Sequence, residues 1–194
     1  MTPLTINGQQ LNIINLNESY LKRLDKNPIS IIDSTNIYIG DGESTSLFYC
    51  ALIPEQKTKG VLVLFPATGE LVEDVFNNNI ALVKILADSN ILTIVLSINY
   101  NLCLDKTTLN YMNVAFEHTI KKYKVSKDKF VLGGFSLGGM NSIRYTELTY
   151  ENSKLTTIQT KAVCGVDPPL DLVGLYNKFT RIEERNFSRT RIDL

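Results

Sequence analysis

Short apolar runs recur along the chain with polar or amphipathic segments between them. "VLVLF" from Val61 and "ILTIVLSI" from Ile91 are continuous β-branched and aliphatic runs. Such runs are too short for a helix and too apolar for a strand with one wet face, which is typical of strands buried on both faces. "FVLGG" from Phe130 and "KAVCGV" from Lys161 predict two further strands.

The segments between these runs have apolar residues at helical spacing. One helix is predicted over 70–90, a second from about Lys106, and a third over "LGGMNSIRYTEL" from Leu137. The predicted apolar stripes are Val72, Val75, Phe76, Val83 and Leu86 in the first helix, and Met112, Phe116, Ile120 and Tyr123 in the second. Strands and helices that alternate in this way predict an α/β fold, with a mostly parallel twisted sheet and helices on both faces.

The N-terminal part of the chain has a weaker pattern. Residues 1–30 are polar and poorly defined, with a weak strand signal in "LTINGQQLNI" and a short helix after Asn17. The apolar runs 36–40 and 46–53 flank Asp41-Gly42, and an Asp-Gly pair in that position predicts a β-hairpin. At the other end, the segment from Pro169 predicts a helix, and residues 178–194 form a polar tail.

Composition limits the possible classes of protein. The chain has 194 residues, 44% of them hydrophobic, and no linker or repeat, so a single domain over 1–194 is expected. Lys plus Arg (20) balance Asp plus Glu (20), so we expect neither nucleic acid nor a membrane surface as a partner. The start does not resemble a secretion signal, and no apolar run is long enough to span a bilayer. These features favour a cytoplasmic protein.

Cysteine and histidine counts argue against a metal or cofactor site. The three cysteines, Cys50, Cys103 and Cys164, lack the spacing of metal ligands and are predicted to be reduced thiols. One histidine cannot form a zinc cluster, and there is no Gly-rich phosphate loop of the required spacing. We therefore expect no metal and no cofactor.

The stretch "FVLGGFSLGGM" places Ser136 in the turn between a predicted strand and a predicted helix. Gly134, Ser136 and Gly138 fit the pattern G-x-S-x-G, in which the serine occupies a sharp turn. A side chain at either glycine would collide where the strand and the helix cross. Catalytic groups in open parallel sheets gather at the carboxyl ends of strands. The pattern predicts a nucleophile elbow, and the alternative is a serine that only caps the helix.

Over residues 36–180 the chain resembles the α/β-hydrolase superfamily. The resemblance rests on the strand order, on "GGFSLGG" after "FVL", and on "FPATGE" after "VLVL". Serine esterases, dienelactone-hydrolase-like enzymes and prolyl-oligopeptidase relatives are the members that it is most similar to. The resemblance implies a serine hydrolase that cleaves a small-molecule or peptide acyl bond (an ester, thioester or amide) through an acyl-enzyme on Ser136. It also implies an oxyanion hole formed by the N–H of Leu137 and that of either Ala67 or Thr68.

The general base is missing from its usual place. In this family the serine is followed by the acid and then by the histidine, but the sole histidine, His118, precedes Ser136. A helix from Lys106 would carry His118 about 18 Å from the carboxyl edge of the sheet and turn it towards solvent. A surface histidine is therefore predicted. Asp167, just past "KAVCGV", is the candidate acid, and a turn or helix cap is the alternative for it.

The resemblance also implies further strand–helix units after the strand that ends at Val166, since those units hold the acid and the histidine in the family. On that basis the chain is expected to be a truncated hydrolase. Three hypotheses follow: an active serine hydrolase whose base comes from beyond Leu194 or from a partner chain, an inactive hydrolase-like binding protein, and a fragment without a function of its own. An uncovered sheet edge would favour self-association.

Overall fold

The computed structural model describes residues 4–6, 9–14, 16–31, 37–40, 46–101 and 104–171. The strands are β1 (Leu4–Ile6), β2 (Gln9–Leu11), β3 (Leu24–Pro28), β4 (Phe48–Leu52), β5 (Gly60–Phe65), β6 (Ile91–Leu96), β7 (Phe130–Phe135) and β8 (Thr160–Val166). The α-helices are α1 (Glu18–Leu21), α2 (Val72–Asn78), α3 (Ile80–Asp88), α4 (Lys106–Tyr123) and α5 (Leu137–Glu151), and a 3₁₀ turn spans Ser153–Leu155.

The main sheet has six strands in the order β3-β4-β6-β5-β7-β8. Strands β6, β5, β7 and β8 are parallel, whereas β4 is antiparallel to both β3 and β6. Strands β1 and β2 form a separate antiparallel pair. The predicted α/β fold with a mostly parallel sheet is confirmed.

Helices cover both faces of this sheet, as predicted. Alternate residues of β5 belong to different cores, because successive side chains of a strand point to opposite faces. Val63 packs with Phe116 of α4 and Tyr145 of α5, whereas Leu64 packs with Val75 of α2. The carboxyl end of β7 therefore lies in a sheet that is held from both sides.

The predicted β-hairpin is wrong where the structure describes it. Strand β4 pairs with β3, with Phe48 opposite Pro28, and the described residues 37–40 form no strand. The predicted turn at Asp41-Gly42 lies outside the described residues. The sequence of β3, "LDKNP", has neither apolar alternation nor β-branched residues, yet the Lys26 ammonium lies 3.9 Å from the centre of the Phe48 ring. Contact with β4 therefore outweighs weak local propensity.

The helix predicted over 70–90 is divided into α2 and α3 at Asn79. Asn79 has a φ of −117° and a ψ of 22°, and its side-chain amide donates to the Val75 carbonyl at 2.8 Å. Such a side chain competes with the helix for backbone acceptors. The predicted stripe is nevertheless buried at Val72, Val75, Phe76 and Val83, and Leu86 is half-buried.

Strand β8 is the last strand of the sheet in the described part of the chain. Two of its apolar side chains remain open to solvent, Val163 at 38% and Val166 at 53% exposure. The predicted helix from Pro169 is described only as far as Asp171, and the tail at 178–194 lies outside the described residues. Among the described helices, none is long and apolar enough to cross a membrane. Self-association stays a prediction.

Candidate active site

Ser136 occupies the turn that joins β7 to α5. Its backbone has a φ of 51° and a ψ of −119°, a conformation that residues with a side chain rarely adopt. The Ser136 N–H donates to the Val166 carbonyl at 2.8 Å, and its own carbonyl accepts from Met140 at 3.0 Å. Hydrogen bonds to strand and helix thus hold the serine in a strained turn.

Two glycines allow the strand and the helix to cross at this turn. A Cβ on Gly134 would lie 2.6 Å from the carbonyl carbon of Gly138 and 2.7 Å from the carbonyl oxygen of Phe65. A Cβ on Gly138 would lie 2.1 Å from the same oxygen. These atoms belong to the backbone and cannot swing away. Since Phe65 is the last residue of β5, the loop that follows it lies directly against the elbow.

The Ser136 hydroxyl does not cap the helix. Ser136 is the N-cap residue of α5, but its side chain makes no capping hydrogen bond. The side chain is half-buried, and the neighbouring Phe135 is 53% exposed. The capping alternative is therefore wrong, because the hydroxyl does not bind the first N–H groups of the helix. Its role as a nucleophile stays a prediction.

The three predicted oxyanion donors differ in whether another group already accepts from their N–H. Leu137 opens α5, where backbone N–H groups have no acceptor within the helix and the helix dipole is positive. The Ala67 N–H already donates to the Glu70 carboxylate, at 2.8 Å to Oε2. The Thr68 N–H has no hydrogen-bond partner among the described residues. Of the two alternatives, Thr68 is the one with a free amide.

Asp167 lies at the same edge of the sheet, directly after β8. It follows Val166, whose carbonyl accepts from Ser136, and its own φ is 50°. Its side chain is exposed and hydrogen-bonds to no other described residue. The structure thus brings the backbone of Asp167 next to the elbow, and its role as the acid stays a prediction.

His118 is not the surface histidine that was predicted. Its Nδ1 lies 2.8 Å from the hydroxyl of Tyr49, and its ring is half-buried against the Tyr49 ring. Burial lowers the pKa of His118, and the charge of Lys122 lowers it further. Tyr49 belongs to β4, which is three strand positions from β7, or about 14 Å. The helical-wheel estimate missed this contact because a long tyrosine side chain reaches it from the sheet.

Two polar residues near the elbow were not singled out from the sequence as part of the site. Glu70 holds the Ala67 amide, and Asn99 is buried beneath the same loop. In the sequence, Glu70 stands simply at the start of the helix predicted over 70–90. The compact turn "PATGE", with Gly69 at a φ of 75°, was the available signal for a fixed loop.

A concave groove of about 430 Å³ lies on the α2 and α3 side of the sheet and reaches the elbow. Its apolar wall includes Leu64, Val75, Leu82, Phe135 and Val166, and its polar end includes Glu70, Asn78 and Asn79. Within the part of the chain that the structure describes, His, Cys, Asp and Glu form no group of three or more that could hold a metal ion. The groove therefore offers mainly apolar contacts beside Ser136.

Comparison with known proteins identifies the fold. No protein-family model matches the chain, and no curated protein matches it either. Among solved structures, it is similar to the fluorophosphonate-binding serine hydrolase FphF of Staphylococcus aureus, with a TM-score of 0.60 and 12% identity over 84% of this chain and 64% of that one. A lipase/esterase of Lactobacillus plantarum gives a TM-score of 0.58 and 14% identity over 86% of this chain and 68% of that one.

A third similar structure is the thermostable carboxylesterase EstE1 from a metagenomic library, with a TM-score of 0.52 and 14% identity over 85% of this chain and 58% of that one. The chain thus spans 58% to 68% of the length of these three proteins. All are serine hydrolases or esterases of the α/β-hydrolase fold. The chain has the α/β-hydrolase fold, and Ser136 lies at its strand–helix elbow.

Proposed function

We propose that Ser136 is the nucleophile of a serine hydrolase that cleaves acyl bonds, with esters as the first substrate class to test. The proposal rests on one observation: a non-glycine residue is held at a φ of 51° with an uncapped hydroxyl beside a helix N-terminus. Strained backbone of this kind concentrates at functional sites. The names of the similar structures, which include a carboxylesterase and a lipase/esterase, support the choice of an ester.

In the proposed reaction, the Ser136 Oγ attacks the acyl carbon while its proton passes to a base. The carbonyl π bond breaks and leaves a negative charge on oxygen, which the N–H of Leu137 and an amide of the 66–70 loop would stabilise. The C–O bond to the leaving group then breaks, the leaving alcohol takes up the proton, and water hydrolyses the acyl-enzyme. Each oxyanion donor is expected to contribute about 3 to 4 kcal/mol to the transition state.

No histidine of this sequence is placed to act as the base for Ser136. His118 is the sole histidine of the sequence, and its Nδ1 is occupied by Tyr49. We therefore propose that the histidine is supplied by sequence beyond Leu194 or by a second polypeptide. Asp167 remains our candidate for the acid.

A second candidate function is an inactive binding protein that uses the groove beside the elbow. It is favoured by the lack of any hydrogen-bond partner for the Ser136 hydroxyl among the described residues. A serine without a base is a weak nucleophile, so the fold alone would bind rather than cleave.

A fluorophosphonate probe separates the two candidates. The probe is applied to the chain together with the polypeptide that supplies the base. We expect labelling on Ser136, its loss in Ser136→Ala, and its persistence in the control Ser153→Ala, which changes an exposed serine just beyond the far end of α5. Near-ultraviolet circular dichroism would show that the variants are folded. A folded protein that includes the base yet takes up no probe and hydrolyses no p-nitrophenyl ester would contradict the hydrolase proposal and favour binding.

A further inference from the structure

The Glu70 side chain ties the loop after β5 to helix α2. Its Oε2 accepts from the Ala67 N–H at 2.8 Å, and its Oε1 accepts from the Asn78 side-chain amide at 2.9 Å. Both oxygens of the carboxylate are therefore engaged. Hydrogen bonds to a charged acceptor are stronger than neutral ones, so this contact fixes the direction of the Ala67 amide.

Asn99 holds the other side of the same loop. Its carbonyl accepts from the Gly69 N–H at 2.7 Å, and its side-chain amide donates to the Glu70 carbonyl at 3.1 Å. Asn99 is fully buried and also exchanges two hydrogen bonds of 2.8 Å with the backbone of Ile39. A buried side chain with this many partners cannot shift without loss of several bonds. The loop is therefore fixed from two directions.

The backbone donors of the loop can be counted completely. Pro66 has no N–H, the Ala67 N–H is held by the Glu70 side chain, the Gly69 N–H is held by Asn99, and the Glu70 N–H donates to the Ala67 carbonyl at 3.1 Å. Among the described residues this leaves Thr68 as the one donor of the loop without an acceptor. Thr68 is exposed, so in the free protein water can bind its N–H, and a ligand oxygen can reach it.

The loop also lies against the elbow. A Cβ on Gly138 would meet the carbonyl oxygens of both Phe65 and Pro66, at 2.1 Å and 2.9 Å. The first residues of the loop thus touch the first turn of α5, which begins at Leu137. An oxyanion bound to the Ala67 N–H would be repelled by the negative Glu70 carboxylate, which already accepts from that N–H. An oxyanion bound to the Thr68 N–H would not have to displace the carboxylate.

We propose that Glu70 is a positioning residue: it withholds the Ala67 amide from substrate and presents the Thr68 N–H as the oxyanion donor that works with Leu137. This inference rests on the proposed function of Ser136. Two points go beyond that function: Thr68 is the loop residue that donates, and Glu70 holds the loop so that it does. Each can be tested without measuring turnover.

The amide itself is tested by exchanging one backbone N–H for an ester oxygen, at Thr68 or at Ala67, and measuring the rate of fluorophosphonate labelling. We expect the Thr68 ester to label on the order of 10²-fold to 10³-fold more slowly than the wild type, the range seen when one oxyanion donor is removed. The Ala67 ester removes only the bond to Glu70, so it should label about 10-fold more slowly than the wild type, as expected for Glu70→Ala, and clearly faster than the Thr68 ester. The reverse order would overturn the assignment.

The positioning role is tested with Glu70→Ala and Glu70→Gln. Glutamine keeps an oxygen that can accept from the Ala67 N–H, so the labelling rate of Glu70→Gln should stay within about 3-fold of the wild type. The labelling rate of Glu70→Ala should fall by about 10-fold or more. Glu73→Gln is the control, since it removes a nearby carboxylate that does not hold the loop amide. Equal losses in Glu70→Ala and Glu70→Gln would show that charge, not the hydrogen bond, matters and would overturn the proposal.

Hydrogen exchange gives a result that does not depend on catalysis. In the wild type the Ala67 amide should be protected and the Thr68 amide should exchange rapidly. Glu70→Ala should lower the protection factor of the Ala67 amide by about 10-fold or more. The protection factor of the Leu64 amide, inside β5, should not change. If the wild type, together with the polypeptide that supplies the base, takes up no probe, the function proposed for Ser136 fails. Fast Ala67 exchange in the wild type would instead refute the role of Glu70.

Discussion

Gly138 and Phe65 meet so closely that no side chain fits between them: a Cβ on Gly138 would lie 2.1 Å from the Phe65 carbonyl oxygen. The contact joins the first turn of α5 to the end of β5. It therefore sets the distance between the two segments that hold the elbow serine and the proposed oxyanion loop. The spacing of these two segments therefore depends on a packing contact between backbones.

Gly138→Ala should accordingly destabilise the protein and disturb the elbow. The added methyl group meets backbone atoms that cannot rotate away, so we expect the free energy of unfolding to fall by about 3 kcal/mol. Gly60→Ala is the matched control, because its nearest atoms would lie at an ordinary 3.4 Å and 3.5 Å. Urea unfolding measures the free energy of unfolding of the two variants. Equal stability of the two variants would mean that the crossing is looser than the structure indicates.

Ser136→Gly should make the protein more stable and unreactive at the same time. Glycine adopts a positive φ without steric cost, so replacing Ser136, at a φ of 51°, relieves strain. We expect the free energy of unfolding to be about 1 kcal/mol higher than that of Ser136→Ala, which keeps the strained backbone. The same pair of variants should both resist the fluorophosphonate probe. A glycine variant no more stable than the alanine variant would show that the turn is unstrained.

Cys164 should react rapidly with thiol reagents, and Cys50 should not. Cys164 is exposed and lines the groove beside the elbow, whereas Cys50 is buried, and burial raises its pKa to about 12. The thiolate is the reactive form, so Cys50 is inert at neutral pH. In a Cys103→Ser background, Ellman's reagent should titrate one thiol in the native protein and two after unfolding. Slow reaction of Cys164 would indicate that the groove is covered in solution.

The parts of the molecule that could be predicted from the sequence are those specified by local pattern. Strands β5 and β6 are almost continuous apolar runs, β7 and β8 each contain a shorter one, and the elbow follows from fixed glycine spacing, so all of these were found. Strand β3 was missed because its residues fit a strand only through contact with β4. The Ala67–Glu70 hydrogen bond was missed because two acceptable donors, Ala67 and Thr68, look alike until the folded loop shows which one is occupied.

His118 should titrate at lower pH than a free histidine, and its titration should affect stability. Its pKa is lowered in the folded chain, so below about pH 6.5 the unfolded chain binds the proton more readily and folding becomes less favourable. Stability attributable to this group is complete above the unfolded pKa and is lost as pH falls through the folded one. Because it is the sole histidine, one ring resonance in a proton NMR titration reports it directly. Urea unfolding at pH 5 and pH 7.5 should show a smaller loss on acidification in His118→Gln than in the wild type, and an equal loss in both would exclude His118 as the cause.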